Sequence, residues 1–273
     1  MAYLCPLCQQ PLLQQQQILK CENNHQFDIA KEGYVNLMPA HHKRSKDAGD
    51  KKEMMQARRR FLEGGHYDLM RQTVAQLCSK YLQDSSYQFL DIGCGEGYYT
   101  QFVAQTPAQH STQSVTYGLD ISKIAVRYAA KRYPMVNFVV ASSHRLPFDD
   151  ASLAGILRIY APCKAQELYR CIQNQGVVIT VTPAARHLYQ LKEGIYPNVQ
   201  LHDETAEEIA GFTLVEQQKL HYTMALSGND AFDLLQMTPF AWRASDELRA
   251  QLKQAEQFNC EANFMISVYR KVS

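Results

Sequence analysis

The sequence predicts an α/β fold, a doubly wound and mostly parallel sheet of seven strands, preceded by a small metal-binding module. Three observations carry that prediction. Short apolar runs of strand length alternate with helical runs from residue 87 onward. A glycine-rich turn follows the first of those strands at once, in FLDIGCGEGYYT, residues 89–100. Three thiols and an imidazole crowd the first 25 residues at a spacing typical of metal ligands.

The front cluster comes first in the chain. Cys5, Cys8, Cys21 and His25 are spaced C-x2-C-x12-C-x3-H. Two thiolates two residues apart can chelate one ion from a tight turn, which Pro6 favours, and the second pair closes a tetrahedron. A Cys3His set filled by protein leaves no open position for substrate, so the expected zinc is structural. A segment of about 35 residues is too short to build its own core without such a staple. The glutamine run Gln14–Gln17 is expected to be the loop between the ligand pairs.

Residues 66–82, HYDLMRQTVAQLCSKYL, place Leu69, Val74, Leu77 and Leu82 near helical spacing. YQFLDIG is the first strand of the body, and CGEGYYTQFVAQ turns from it into a helix. VTYGLD is the second strand, and SKIAVRYAAKRY a helix with Ser122 as its N-cap. VNFVVAS and LAGILRI are the third and fourth strands, AQELYRCI a helix and GVVITVT the fifth strand. TAEEIAGF reads as a helix leading into a sixth strand, DAFDLLQM as helical, and NFMISVYRK as a closing strand.

Bulk properties set the class. The 273 residues have ordinary globular composition, 46% hydrophobic and 20% charged. No run of about 18 apolar residues is present, and the N-terminus lacks a signal-peptide pattern. Eight cysteines then imply a reducing compartment, so a cytoplasmic protein is expected. The net charge of +1 hides an asymmetry. Residues 1–60 carry ten Lys/Arg against six Asp/Glu, a balance of +4, and the rest carry 18 against 21, a balance of −3. A basic front on a mildly acidic body suggests an anionic partner touched by the front.

The glycine turn alone is a weak signal of cofactor class, and its details narrow it. Gly93, Gly95 and Gly97 let the backbone bend tightly and approach a ligand at a helix N-terminus. Their spacing, G-x-G-x-G, departs from the dinucleotide fingerprint G-x-G-x-x-G. Asp91, two residues before the first glycine, suits the ammonium of a methionyl group rather than a pyrophosphate. Asp120 ends the second strand, where a carboxylate can accept both ribose hydroxyl protons, a feature that dinucleotide enzymes share. Together these favour S-adenosylmethionine over a dinucleotide.

LDIGCGEGYY resembles the first motif of class I S-adenosylmethionine-dependent methyltransferases. With CPLC, FDIAKEGYVNLMP, GDKKEMMQARRRFLEGGHY, ASSHRLPF, RIYAPCKAQEL, TPAARHLYQLK and LLQMTPFAWRA, nearly the whole chain resembles the bacterial 23S ribosomal RNA guanine-N1 methyltransferases. The resemblance implies a seven-stranded, Rossmann-like methyltransferase sheet with an N-terminal zinc domain. It also implies methyl transfer from S-adenosylmethionine to N1 of a guanine in 23S rRNA. The domains expected are a zinc-binding module at 1–35, a basic linker and helix at 36–62, and the methyltransferase domain at 63–273.

By the same resemblance, Cys5, Cys8, Cys21 and His25 are zinc ligands, Tyr67 reaches the cofactor, Gly95 and Glu96 line it, and His187 lies at its methionyl end. The adenine contact stays open, because Ala141–His144 lacks the Asp that many enzymes of this fold place there. No general base is assigned; Arg158, Tyr160 and His144 are the candidates near the fourth strand, and Cys163 is expected to be structural. Arg58, Arg59 and Arg60 are expected to contact phosphates and Tyr34 to stack on a base, with the zinc module as the head of the RNA clamp. A homodimer is compatible with this reading. The competing readings are a small-molecule or other-RNA methyltransferase with a purely structural zinc knuckle, and a non-enzymatic RNA-binding factor.

Overall fold

A computed structural model describes residues 3–39, 52–82, 86–105 and 114–272. Strands β1 (Tyr3–Leu4), β2 (Pro11–Gln15), β3 (Ile18–Lys20) and β4 (Gln26–Asp28) form a small antiparallel sheet in that order. The turn between β2 and β3 lies in the glutamine run, with Gln16 at φ 56°.

The large sheet has the order β11-β12-β10-β9-β6-β7-β8-β5. Its centre is β6 (Gln88–Ile92), flanked by β7 (Val115–Asp120) and β8 (Asn137–Val140) on one side and by β9 (Leu153–Ile159) and β10 (Ile172–Pro183) on the other. These pair in parallel. β12 (Phe258–Lys271) runs antiparallel between β10 and β11 (Phe212–Leu226). The chain builds outward from β6 through β7 and β8, then returns to place β9 on β6's other edge. That reversal opens a crevice beyond the carboxyl ends of β6 and β9, where doubly wound sheets bind ligands. Seven strands are those read from the sequence. The eighth, β5 (Val35–Asn36), comes from the front of the chain and pairs in parallel with β8, covering an edge that would otherwise be open.

Burial follows position in the sheet. β9 is buried on both faces until its last residue, as a central parallel strand requires. Along the edge strand β11 the less exposed residues alternate with exposed ones. Helices α2 (Asp68–Tyr81), α3 (Tyr98–Ala104), α4 (Lys123–Arg132), α5 (Ala165–Cys171), α6 (Tyr189–Glu193), α7 (Gly228–Gln236) and α8 (Asp246–Gln254) cover the sheet and its rim. Ser122 caps α4, accepting from the Ala125 N–H, as its sequence position predicts. TAEEIAGF, residues 205–212, expected to be a helix leading into a strand, forms no helix, and Phe212 already opens β11. Glu204, just before it, accepts the Ala185 N–H, and Glu207 within it pairs with the buried Arg158 at 2.5 Å. These long-range partners override a local helical pattern.

The zinc module is not a separate head. Tyr3 is 1% exposed, with its ring edge-on to Tyr117 and Phe148. Tyr3, Leu12 and Leu19 belong to one apolar cluster with Leu90, Ile92, Tyr117 and Ile156 of the large sheet. The Leu4 N–H donates to the Pro147 carbonyl at 3.0 Å. Tyr34 is likewise buried, against Cys94, Val126 and Phe138, so it offers no exposed face for stacking on a base.

Helix α1 (Lys52–Glu63) buries Met55, Ala57, Phe61 and Leu62. Its three consecutive arginines all have partners within the protein, although Arg60 stays 59% exposed. Arg59 makes a two-pronged pair with Glu96 at 2.5 and 2.6 Å. Arg60 makes another with Asp233 of α7 at 2.7 and 2.6 Å, and Arg58 Nη2 reaches the Met237 carbonyl at 3.3 Å. At Arg58–Arg60, the expected phosphate clamp, the structure shows partners within the chain, and the Arg59 and Arg60 forks hold α1 against the body. The basic residues at 43–51, also part of that clamp, lie outside the described residues.

Candidate active site

A cleft of about 720 Å³ opens beyond the carboxyl ends of the central strands. Of the residues expected at the cofactor, Tyr67, Asp91, Gly93, Gly95, Glu96, Asp120 and His187 all line it. Gly97 does not. It sits at φ 82° as the N-cap of α3, where an added Cβ would press on Phe138 and Tyr133 at 3.0 Å. Gly93, at φ 74°, would drive a Cβ into Ala161 at 2.8 Å, so the loops after β6 and β9 meet only because the side chain is missing. These positions explain the glycine turn by conformation and close approach.

At one end of the cleft stands Asp91. It is 2% exposed and accepts from Thr100 Oγ1 at 2.6 Å. Burial pushes its carboxyl up to about 7. Among the described residues it has no cationic partner. A buried carboxyl group facing a cleft without a counter-ion fits a ligand that brings an ammonium. Asp120 holds the loop itself, with Oδ2 accepting the Gly95 N–H at 2.9 Å and Oδ1 the Ser122 N–H at 2.8 Å. Glu96 is engaged by Arg59, which ties the glycine loop to α1.

Across the cleft lie Tyr160, Ala161 and Pro162 after β9, and Pro183 and His187 after β10. His187 is buried. Its Nδ1 accepts the Asn263 N–H at 3.2 Å, and its Nε2 lies 3.4 Å from Tyr160 Oη. Burial, then the nearby Lys192 and His202, hold its pKa down at about 3, so the ring is neutral with its proton on Nε2. Tyr67 packs edge-on to Phe264 at 5.0 Å and tilted to His187 at 6.3 Å. The other candidate bases fall away from the cleft. Arg158 is bound to Glu207, and neither it nor His144 lines the cavity. Cys163 points to the Ser143 carbonyl at 3.2 Å, and burial pushes its thiol up to about 11, an inert setting. Ser142 and Ser143 also lie off the cleft. Sequence reading missed Met55 and Leu62 in the roof, Met237–Phe240 at the rim, and Lys192 and His202 in the far wall. None of these belongs to a pattern with a mechanism of its own.

The second site is the front cluster. The ligand atoms of Cys5, Cys8, Cys21 and His25 all lie within 4.8 Å of one another. His25 Nδ1 is 3.5 Å from both Cys5 Sγ and Cys21 Sγ, and Cys8 Sγ is 3.6 Å from Cys21 Sγ. Three thiols and one imidazole at such separations fit a closed tetrahedral zinc site, with His25 bound through Nδ1.

Comparisons with known proteins match both parts of the chain. Residues 3–46 match the family model described as RlmA, N-terminal, a zinc ribbon, and residues 89–176 match the model described as Methyltransferase domain. The chain is 32% identical over 257 residues to the 23S rRNA (guanine(748)-N(1))-methyltransferase of Streptomyces fradiae, covering 92% of this chain and 89% of the relative. It is 31% identical to a Micromonospora griseorubida protein over 87% of this chain and 86% of the relative. It is 28% identical to YxjB of Bacillus subtilis (strain 168) over 92% and 91%. Both of these carry the provisional name 23S rRNA (guanine-N(1)-)-methyltransferase.

Proposed function

The chain belongs to the 23S rRNA (guanine-N1)-methyltransferase family, and on that premise we infer that it transfers a methyl group from S-adenosylmethionine to N1 of a guanine in 23S rRNA. The observation that carries this reading is the buried, uncompensated Asp91 beside the three positive-φ glycines, facing Tyr160 and His187 across the crevice.

The residues divide the work. Asp91 receives the methionyl ammonium, and the backbone at Gly93 and Gly95 cradles the methionyl chain. Asp120, lining the cleft at the end of β7, receives the ribose hydroxyls, and Gly97 turns the loop into α3. Glu96 acts at the cofactor by pinning the glycine loop to α1. Tyr67 and His187 wall the methionyl end, and a neutral His187 adds no repulsion to a cationic donor. S-adenosylmethionine supplies an electrophilic methyl on sulfonium. The protein aligns the attacking nitrogen with it, and such positioning is worth on the order of 7–11 kcal/mol in favourable cases.

The zinc cluster is structural. The division at 1–35, 36–62 and 63–273 is the working domain scheme, with the first unit docked on the third. No helix among the described residues is long and apolar enough to cross a membrane. We place the chain in the cytoplasm and infer a homodimer, the latter tested by light scattering of the purified chain. The whole reading is tested by tritiated methyl transfer to ribosomal RNA that lacks the modification, followed by nucleoside analysis. 1-Methylguanosine is the expected product. Methylation of small molecules with no RNA product would replace this reading with the small-molecule one.

A further inference from the structure

Guanine N1 carries a proton, and its lone pair is free to attack only once that proton has left. The charge then spreads to O6. The reaction therefore needs a proton acceptor, and a donor for O6 beside it.

Most titratable groups near the cleft are already committed. His187 spends Nδ1 on the Asn263 N–H and keeps its proton on Nε2, so neither nitrogen is a free base. Glu96 is bound by Arg59. Glu204 holds Lys219 and the Ala185 N–H. Glu261 is surrounded by Arg186, Gln190 and His221. Asp91 belongs to the cofactor end.

Glu63 is bound by Arg132, and desolvation raises the Tyr160 phenol above its ordinary pKa, so it keeps its proton. Lys192 and His202 remain. Both line the cleft on the side of His187. Lys192, on α6, is 8% exposed, and its Nζ lies 2.6 Å from His202 Nε2. Among the described residues no carboxylate pairs with it. The groups that act on the pair are His187 and the Cys260 thiol. A lysine buried without an acid is unfavourable compared with an apolar residue of similar shape, so a purely structural role is a poor explanation. In a nitrogen–nitrogen hydrogen bond one member donates and the other accepts. Burial holds both groups below their ordinary pKa values, which favours an unprotonated nitrogen. The result is an adjacent donor and acceptor in a desolvated wall, the complement of the neighbouring O6 and N1–H of guanine.

We propose that the Lys192–His202 pair is the proton acceptor for guanine N1, one nitrogen taking the N1 proton while an N–H of the pair binds O6. This rests on the methyl-transfer reading above. The N1–H bond breaks, its electron pair stays on the base and is shared with O6, and the proton joins the lone pair of an unprotonated Lys192 Nζ, which is vacant when Lys192 donates to His202 Nε2. The N1 lone pair then forms the N–CH3 bond as the donor's S–CH3 bond breaks, both electrons of that bond returning to sulfur. Adenine N1 carries no proton and has no O6, so the same pair selects guanine.

The test compares wild type with Lys192→Met and His202→Gln on an RNA fragment that the wild-type chain methylates. Single-turnover rates at pH 7 are expected to fall by about 10²–10⁴-fold in both variants. S-adenosylmethionine Kd should stay within about threefold of wild type, and Lys192→Met should melt at or above the wild-type temperature. The wild-type rate should level off with pH, whereas the Lys192→Met rate should keep rising as hydroxide takes over proton removal. Rates within about fivefold of wild type in both variants, or an unchanged pH profile, overturn the proposal. So does a loss of cofactor affinity that parallels the loss of rate. A wild-type chain that makes no 1-methylguanosine overturns the methyl-transfer reading itself, and the pair's role with it.

Discussion

Asp91, buried at the end of β6 and held by Thr100 Oγ1, gains from keeping its proton until a cation arrives. Its folded pKa of about 7 lies above the value of about 3.9 expected in the unfolded chain. The unfolded chain gives up this proton first. The group therefore lowers the stability of the cofactor-free protein as pH rises from about 4 to 7. An ammonium ligand reverses the preference, because it binds the ionised form. Affinity for S-adenosylmethionine should thus tighten between pH 5.5 and 7, by at most about tenfold per pH unit. Asp91→Asn should flatten that dependence, weaken binding at pH 7 by about 100-fold or about 2.8 kcal/mol, and raise the melting temperature of the cofactor-free protein. Calorimetric titration across this range checks it, and a wild-type Kd that ignores pH would refute the assignment. Asp91 and the glycines were legible because strand, turn and helix start are contiguous and each residue type has a local reason. Lys192 and His202 were not, since two ordinary residues ten apart meet only after α6 turns the chain back.

Helix α1 shows where local reading stops. ARRR looked like a phosphate-binding run because a sequence displays charges without their partners. Those partners stand 37 and 173 residues away, at Glu96 and Asp233. The missing helix in TAEEIAGF, residues 205–212, has the same cause, with Glu207 and the preceding Glu204 claimed by distant groups. The alternating strands and helices, by contrast, follow from apolar periodicity and were read in the right order. Because Met55, Arg58, Arg59, Leu62 and Glu63 line the cleft, α1 forms its roof, and the Arg59–Glu96 fork ties that roof to the glycine loop. A double-mutant cycle of Arg59→Ala and Glu96→Ala, read in S-adenosylmethionine affinity, should give a coupling of about 1–3 kcal/mol. Arg59→Lys should recover little of it, since an ammonium cannot make both bonds of the fork. Strict additivity of the two single substitutions would show that the fork contributes nothing to holding the cofactor.

At the scale of the whole molecule the question is whether the zinc module and the catalytic domain are one folding unit. The sequence suggested two, since a metal-stapled segment of about 35 residues can fold by itself. The shared apolar cluster argues for one. Tyr3, Leu12 and Leu19 pack with Leu90, Ile92 and Tyr117, strand β5 extends the catalytic sheet, and Leu90 and Ile92 flank Asp91 on β6. Structural zinc sites contribute on the order of 10 kcal/mol to small domains. If a few kcal/mol of that support is transmitted, a chain of this size loses about 2–4 °C of melting temperature per kcal/mol. Cys8→Ser, or removal of zinc by a chelator, should therefore give a single unfolding transition about 10 °C lower. Affinity for S-adenosylmethionine should fall with it, because the strand that carries Asp91 loses its cover on one face. Differential scanning calorimetry and cofactor titration of the same samples measure both effects. Two transitions, with the upper one and the cofactor affinity unchanged, would mean that the module folds alone and that its contact with Leu90, Ile92 and Tyr117 carries no stability.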